Sequence, residues 1–330
     1  MMFFPFEIIF MVLFLFGSVL SLSSVSWFGF WLGMEINLIG VMPIFCFHKN
    51  FGEVESSVNY FLIQSLGSAW VLIGCICCYL NISIFMLFLV VGCLIKLGAG
   101  PFFFWLPKVI ENYSWQSCII LTTWQKVVPL ILFFFVSKFS VLLVIVGIIT
   151  AFIGGLGGIG KSALRILMSF SSIMNLGWIL SLGFISSFYS FIYFFFYSVL
   201  SSFIFFIMGL SIKFINYVVE YSLNSFKLMQ FLMIMGVAGI PPFLGFFIKL
   251  MSVMVMINLW WVVLFLVISS FFSLYFYLIM SFSVSLKGFN LWYYFLFKYN
   301  KVWVIMFWLF NILGWSFIYL FFYYALIFFY

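Results

Sequence analysis

Apolar runs of twenty residues and more follow one another along almost the whole of this 330-residue chain, with only short polar breaks between them. About 20 apolar residues in helical form cross the hydrocarbon core of a bilayer. Inside lipid the backbone must also satisfy its own hydrogen bonds, which helices do locally. Composition agrees, at 68% hydrophobic and 6% charged, against roughly 25% charged residues in an average soluble domain. A soluble globule is excluded, and the expected fold class is an all-α polytopic membrane protein. The opening MMFFPFEIIF lacks the basic start and cleavage site of a secretory signal, so it reads as the start of a retained helix.

Hydropathy and loop breaks predict helices over 3–24, 26–47, 57–80, 83–107, 115–137, 139–159, 163–183, 186–213, 228–257, 259–284 and 302–327. Eleven spans place the two termini on opposite sides. The loops on the N-terminal side then hold Lys49, Lys108, Lys161, Arg165, Lys213, Lys227, Lys287, Lys298 and Lys301, and the other side holds Lys138. By the positive-inside rule the N-terminus faces the cytoplasm or its mitochondrial equivalent, the matrix. The net charge of +7 follows from this topology and implies no nucleic-acid partner.

Other residue classes narrow the chemistry. The six cysteines lie in apolar stretches, where cysteine behaves as a small hydrophobe, and no second pair or nearby histidine completes the C-x-x-C of "GCICC" as a metal set. His48 is the sole histidine, whereas haem and copper centres need several such ligands. The chain carries no redox metal on this reading. Phenylalanine occurs 53 times and aspartate not at all, a skew that fits A+T-rich coding and an organelle genome.

With the loop charges assigned, Lys96, Lys126 and Lys249 remain inside spans. Of the acids, Glu53, Glu55, Glu111 and Glu220 fall in loops and Glu7 near the first helix start, which leaves Glu35 at the centre of a span. One such group at a helix centre costs about 2.5–3.5 kcal/mol on insertion scales, so four need pairing or a hydrated cavity. Desolvation favours a neutral amine and a nearby carboxylate favours the ammonium. Buried lysines coupled to one another and to Glu35 therefore make a proton relay.

Two of these lysines accompany helix fractures, "KLGAGPF" (Lys96–Phe102) and "GVAGIPPFLG" (Gly236–Gly245). Proline removes a backbone donor and clashes with the preceding turn, and a break at membrane depth is tolerated only against protein or a water-lined cavity. A fracture in each half points to inverted repeats around an ion pathway. The expected organisation is a single membrane domain, 1–330. Its first half-repeat covers 1–137, with the break near Gly98–Pro101. The second covers 138–285, with the break near Gly239–Pro242, and 286–330 form a loop and C-terminal helix. Lys96 precedes its break by a few residues and Lys249 follows its own by about two turns, so the symmetry is approximate.

"GLGGIGKS" (Gly155–Ser162) matches two phosphate-cradling patterns. It follows an apolar membrane run instead of a strand, and no aspartate is present to hold magnesium. It reads as an interhelix loop, with no nucleotide bound.

Together, "WLGMEIN", "IKLGAGPFFFWLPKV", "LTTWQKVVPL", "RILMSFSSIMNLGW" and "GIPPFLGFFIKL" resemble, in this order, the chain 2 family of mitochondrial NADH–ubiquinone oxidoreductase (complex I). That family belongs to the antiporter-like membrane subunits, and its animal members have eleven helices. The resemblance makes Glu35 the carboxylate partner of Lys96, Lys126 the central connecting lysine and Lys249 the lysine of the second broken helix. It implies proton translocation across the inner mitochondrial membrane, driven by quinone reduction elsewhere in the complex. It also implies other membrane-arm subunits and phospholipids as partners, with NADH, flavin (FMN), iron–sulfur clusters and ubiquinone bound by other subunits. Two positions depart from the family pattern, Phe103 and Asn175, where histidines are common. Asn175 hydrogen-bonds water but holds no proton, so ordered water with Ser171 and Ser172 is expected to bridge Lys126 and Lys249. The alternatives are a cation/proton antiporter subunit with the same residue chemistry, and a membrane spacer whose charges only pin helices.

Overall fold

A computed structural model of the chain describes residues 5–46, 50–81, 85–136, 141–215, 230–241 and 243–286, and among these all regular structure is helical. Helix α1 is described over Pro5–Ser23. Helix α2 (Trp27–Phe45) opens on Ser26, whose hydroxyl accepts from the Gly29 N–H at 3.1 Å. Helix α3 (Phe51–Tyr79) begins at Asn50, well before the expected 57. Glu53 stands in its first turn, where a carboxylate complements the helix dipole. Glu53 and Glu55 therefore lie on a helix and not in the loop expected of them, and Glu53 is buried.

Three expected single helices are each divided, the 228–257 span among them, which becomes two helices parted at its predicted glycine–proline break. The 83–107 span becomes α4 (Phe85–Leu97) and α5 (Trp105–Asn112), parted at the predicted glycine–proline break. The 115–137 span becomes α6 (Trp115–Thr122) and α7 (Trp124–Val136), parted at Thr123 where no break was expected. Thr122 and Thr123 donate their hydroxyls back to the Cys118 and Ile119 carbonyls at 2.8 and 2.7 Å, a pattern that bends helices. Pro129 then removes a donor six residues after the bend.

The chain continues through α8 (Val141–Gly157), α9 (Leu164–Ile185) and α10 (Ser187–Ile215). Next come α11 over 230–238, α12 (Leu244–Val255), a single 3₁₀ turn (Ile257–Leu259) and α13 (Trp260–Leu286). Among the described residues six helical stretches are long and apolar enough to cross a membrane, and four shorter apolar helices accompany them. The expected eleventh span, 302–327, lies outside the described residues, as do Lys49, Lys138, Lys227, Lys287, Lys298, Lys301 and Pro242. The glycine-rich 155–162 stretch is the end of α8 and a turn into α9, with Gly160 at φ +81°.

Helix pairs pack through small residues, as lipid-embedded bundles do where apolar lining gives no driving force. α1 lies on α2, α3 on α4, and α8 on α9. On the α3–α4 seam, a Cβ at Gly92 would stand 2.8 Å from the Gly67 carbonyl oxygen. Helix α9 is the centre of the bundle, packed by α5, α8, α10, α12 and α13. Every residue from Leu167 to Leu182 is buried, the mark of a helix enclosed on all sides.

Replacing Gly92 with valine sets a side chain against the α3 backbone, which cannot yield as a side-chain tip would. Overpacking of this kind costs about 1–3 kcal/mol, so the level of mature assembly on native electrophoresis is expected to fall.

Candidate functional site: lysines at helix interruptions

The first interruption is built by Gly98 at φ +65°, a left-handed conformation that suits glycine. The Gly98 N–H donates to the Ile95 carbonyl at 3.2 Å and the Ala99 N–H to the Leu94 carbonyl at 3.1 Å, the paired bonds of a Schellman ending. Two side chains cover what the backbone leaves. Trp105 Nε1 donates to the Ile95 carbonyl at 3.1 Å, and Gln64 Nε2 donates to the Lys96 carbonyl at 3.2 Å.

Lys96 is the penultimate residue of α4, and its stem lies across Gly67 of α3, where a Cβ would come within 2.9 Å. Its amine, in a residue only 7% exposed, donates to Met34 Sδ at 3.7 Å. The neighbouring Glu35, half-buried on α2, acts on the amine electrostatically without a direct salt bridge. Beside Lys96 lies a cavity of about 20 Å³ lined by Met34, Asn37, Leu38, Tyr60, Gln64, Gln125, Val128 and Pro129, enough for a water molecule with several polar partners. Gln125 Nε2 donates to Asn37 Oδ1 across it at 2.8 Å. The cavity thus brings Lys96 next to the residue that precedes Lys126.

Lys126 stands in the first turn of α7, three residues past the bend at Thr123. It is 2% exposed, and its Nζ has no hydrogen-bond partner among the described residues. The unexpected bend therefore gives this lysine, too, a helix interruption of its own.

The second glycine–proline break again turns at a left-handed glycine, Gly239 at φ +81°. Lys249 lies on α12, but its side chain folds back and Nζ donates to the Ala238 carbonyl at 3.0 Å. It so caps the end of α11, where the helix dipole favours a cation. The two-turn offset read from the sequence is cancelled by the reach of the side chain.

Between Lys126 and Lys249 in chain order, α9 presents a buried polar group. Asn175 Nδ2 donates to the Ser171 carbonyl, and the Tyr193 hydroxyl donates to Asn175 Oδ1, each at 2.9 Å. The Ser171 and Ser172 hydroxyls donate to carbonyls of their own helix at 2.7 Å and keep lone pairs to accept. Tyr193 interacts electrostatically with Tyr197 and with Tyr277 of α13, whose hydroxyl has no hydrogen-bond partner among the described residues. Sequence reading identified Asn175 and the serines but missed the three tyrosines, because nothing local separates them from the other tyrosines of the chain. Phe103 stacks on Phe104 within the first interruption, ring centroids 4.1 Å apart.

The chain has counterparts among known proteins. The family model for the membrane-spanning part of NADH:quinone oxidoreductase and Mrp antiporters matches residues 24–84 and 79–273. NADH-ubiquinone oxidoreductase chain 2 of Locusta migratoria is 33% identical over 87% of this chain and 88% of its own. This chain belongs to the NADH-ubiquinone oxidoreductase chain 2 family. The Anopheles gambiae chain 2 is 34% identical over 86% of both. Among solved structures, a chain of respiratory complex I from Thermus thermophilus superposes with a TM-score of 0.75 at 18% identity. It covers 86% of this chain and 72% of that one. A chain of the Mrp complex from Dietzia gives 0.71 at 18% identity, over 82% and 58%. The fold is therefore that of complex I and Mrp membrane subunits.

Tyr193→Phe removes the donor to Asn175 Oδ1 and leaves that buried oxygen bare, at a cost of about 1–3 kcal/mol. The assembled complex is expected to lose activity at a lower temperature than the parent in a heating series.

Proposed function

We propose that this chain is a core membrane-arm subunit of respiratory complex I that translocates protons by linked protonation of Glu35, Lys96, Lys126 and Lys249. One observation carries the reading: each of the three described helix interruptions holds one lysine amine inside the bundle. Purely structural charges would be expected to pair with acids, since a lone buried charge costs more than apolar packing. Among the described residues, the amines meet a thioether, no partner and a backbone carbonyl respectively. Such groups exchange protons as neighbouring charges change, with the polar cavity at Lys96 supplying water contact.

In this scheme Glu35 biases Lys96, the cavity links Lys96 to the α7 segment bearing Lys126, and the α9 cluster around Asn175 leads toward Lys249. Residues 1–137 and 138–285 act as two half-channels. The chain resides in the inner mitochondrial membrane with its N-terminus in the matrix, a reading supported by the lysine distribution of the sequence and by the naming of its relatives. It contacts other membrane-arm subunits and phospholipids. NADH, FMN, iron–sulfur clusters and ubiquinone are assigned to other subunits, and the chain has no redox centre of its own. The likeness to an Mrp chain keeps an antiporter subunit as the second reading, separated from the first only by its partners.

Native electrophoresis of gently solubilised membranes, stained for NADH dehydrogenase activity, is expected to place the chain in the large active band. Its presence only in small inactive bands would favour the antiporter. Within that complex, Lys96→Met is expected to lower proton flux by about tenfold or more, the scale on which one proton-carrying side chain acts. Electron transfer from NADH to an artificial acceptor stays unchanged. Undiminished flux would sink the proposal.

A further inference from the structure

Apart from the lysine path, one carboxylate is buried without explanation. Glu53 is 4% exposed in the first turn of α3, and its Oε2 has no hydrogen-bond partner among the described residues. The helix dipole favours a carboxylate there by about 0.3–1 kcal/mol, and does so for an exposed one too. Taking a carboxylate out of water costs several kcal/mol, so the dipole does not account for the burial. Of the basic residues on this side, Arg165 is engaged elsewhere: Nη1 donates to the Glu111 carbonyl at 3.0 Å and the guanidinium lies 4.9 Å from the Trp115 ring centroid.

A second orphan lies nearby, where the end of α5 packs on the start of α3. The Tyr113 hydroxyl, in the link between α5 and α6, is fully buried and also without a partner. Tyr113 interacts electrostatically with both Glu53 and Tyr60, and burial holds its phenol well above the ordinary range, so it stays a hydroxyl. The Phe45 ring packs on Tyr60 and Tyr113 at 5.3 and 4.7 Å. The buried face of α3 carries Glu53, Ser56, Ser57, Tyr60 and Gln64 at spacings of three and four, and Tyr60 and Gln64 line the cavity at Lys96. Eleven residues of helix rise about 16 Å, against about 15 Å for half the hydrocarbon core. The stripe thus runs from the N-terminal-side surface to the membrane centre.

We propose that Glu53, with Tyr113 and Tyr60, forms the uptake end of the proton path, delivering protons from the N-terminal side to the cavity at Lys96. This rests on the proton-translocating function proposed above. Each step moves one proton and no electrons. Glu53 takes a proton from water, each hydroxyl accepts one on its oxygen while releasing its own toward the next acceptor, and the Lys96 amine receives it.

The test uses the assembled complex reconstituted in vesicles, with Glu53→Gln, Tyr113→Phe and Lys96→Met compared. Glu53→Gln is expected to leave assembly and NADH oxidation by an artificial acceptor unchanged, and to lower proton flux by about tenfold or more. Formate added on the uptake side restores part of that flux, which a merely structural defect would not allow. Tyr113→Phe lowers flux in the same direction. Parental flux in Glu53→Gln while Lys96→Met abolishes it would overturn the uptake path and leave the function standing. Parental flux in all three would overturn both. If Glu53→Gln fails to assemble, Tyr113→Phe decides, because it deletes one oxygen: unchanged flux refutes the path and reduced flux supports it.

Discussion

The backbone carbonyls freed where a helix stops inside the bundle are the constraint on which the rest of this structure depends. With no water to take them, each must find a donor or cost about 1–3 kcal/mol. The chain answers with side chains from a distance: Gln64 and Trp105 at the first break, Lys249 at the second. These donors fix the positions of α3 and α5 against α4, and of α12 against α11. The same polar groups that close the breaks also border the candidate path, as Gln64 does on the cavity beside Lys96. Structural satisfaction and functional polarity are one set of atoms.

The three lysines are not equivalent in this arrangement. Lys96 has a polar cavity and a nearby carboxylate, Lys126 has an enclosed site without a hydrogen-bond partner among the described residues, and Lys249 has a helix end. A charge therefore meets a different setting at each site, which gives the row a direction that three identical sites would lack. Asn175 stands between the latter two in chain order, held by Tyr193, and there neutral groups replace an ionisable one. On the proposed path, passage through that segment relies on reorienting hydroxyls, not on a resident charge.

Much of this was legible in the sequence because its signals are local. Hydropathy marked the spans, glycine with proline marked the two deep breaks, and subtracting loop charges isolated Glu35 and the three lysines. The bend at Thr123 was missed because two threonines inside an apolar run look like ordinary helix. Their bonds back to Cys118 and Ile119 could have been suspected only from their position ahead of Pro129. The burial of Glu53 was invisible for a different reason. It depends on α5 and Tyr113 returning to cover the start of α3, which is a long-range contact. The tyrosines around Asn175 are likewise brought together only by the packing of α10 and α13 on α9.

The bond from Lys249 to the Ala238 carbonyl makes charge and stiffness a single variable at the second break. An ammonium seated there is a pin: it joins the end of α11 to α12 across a left-handed glycine. Withdrawing it leaves both the carbonyl and the glycine turn without their brace. In the proposed relay, a proton arriving at or leaving this site strengthens or weakens that bond, because the neutral amine still donates but less strongly than the ammonium, and so tightens or loosens the hinge between two half-helices. Electrical state in this half of the protein is written into the rigidity of the backbone as well as into its potential.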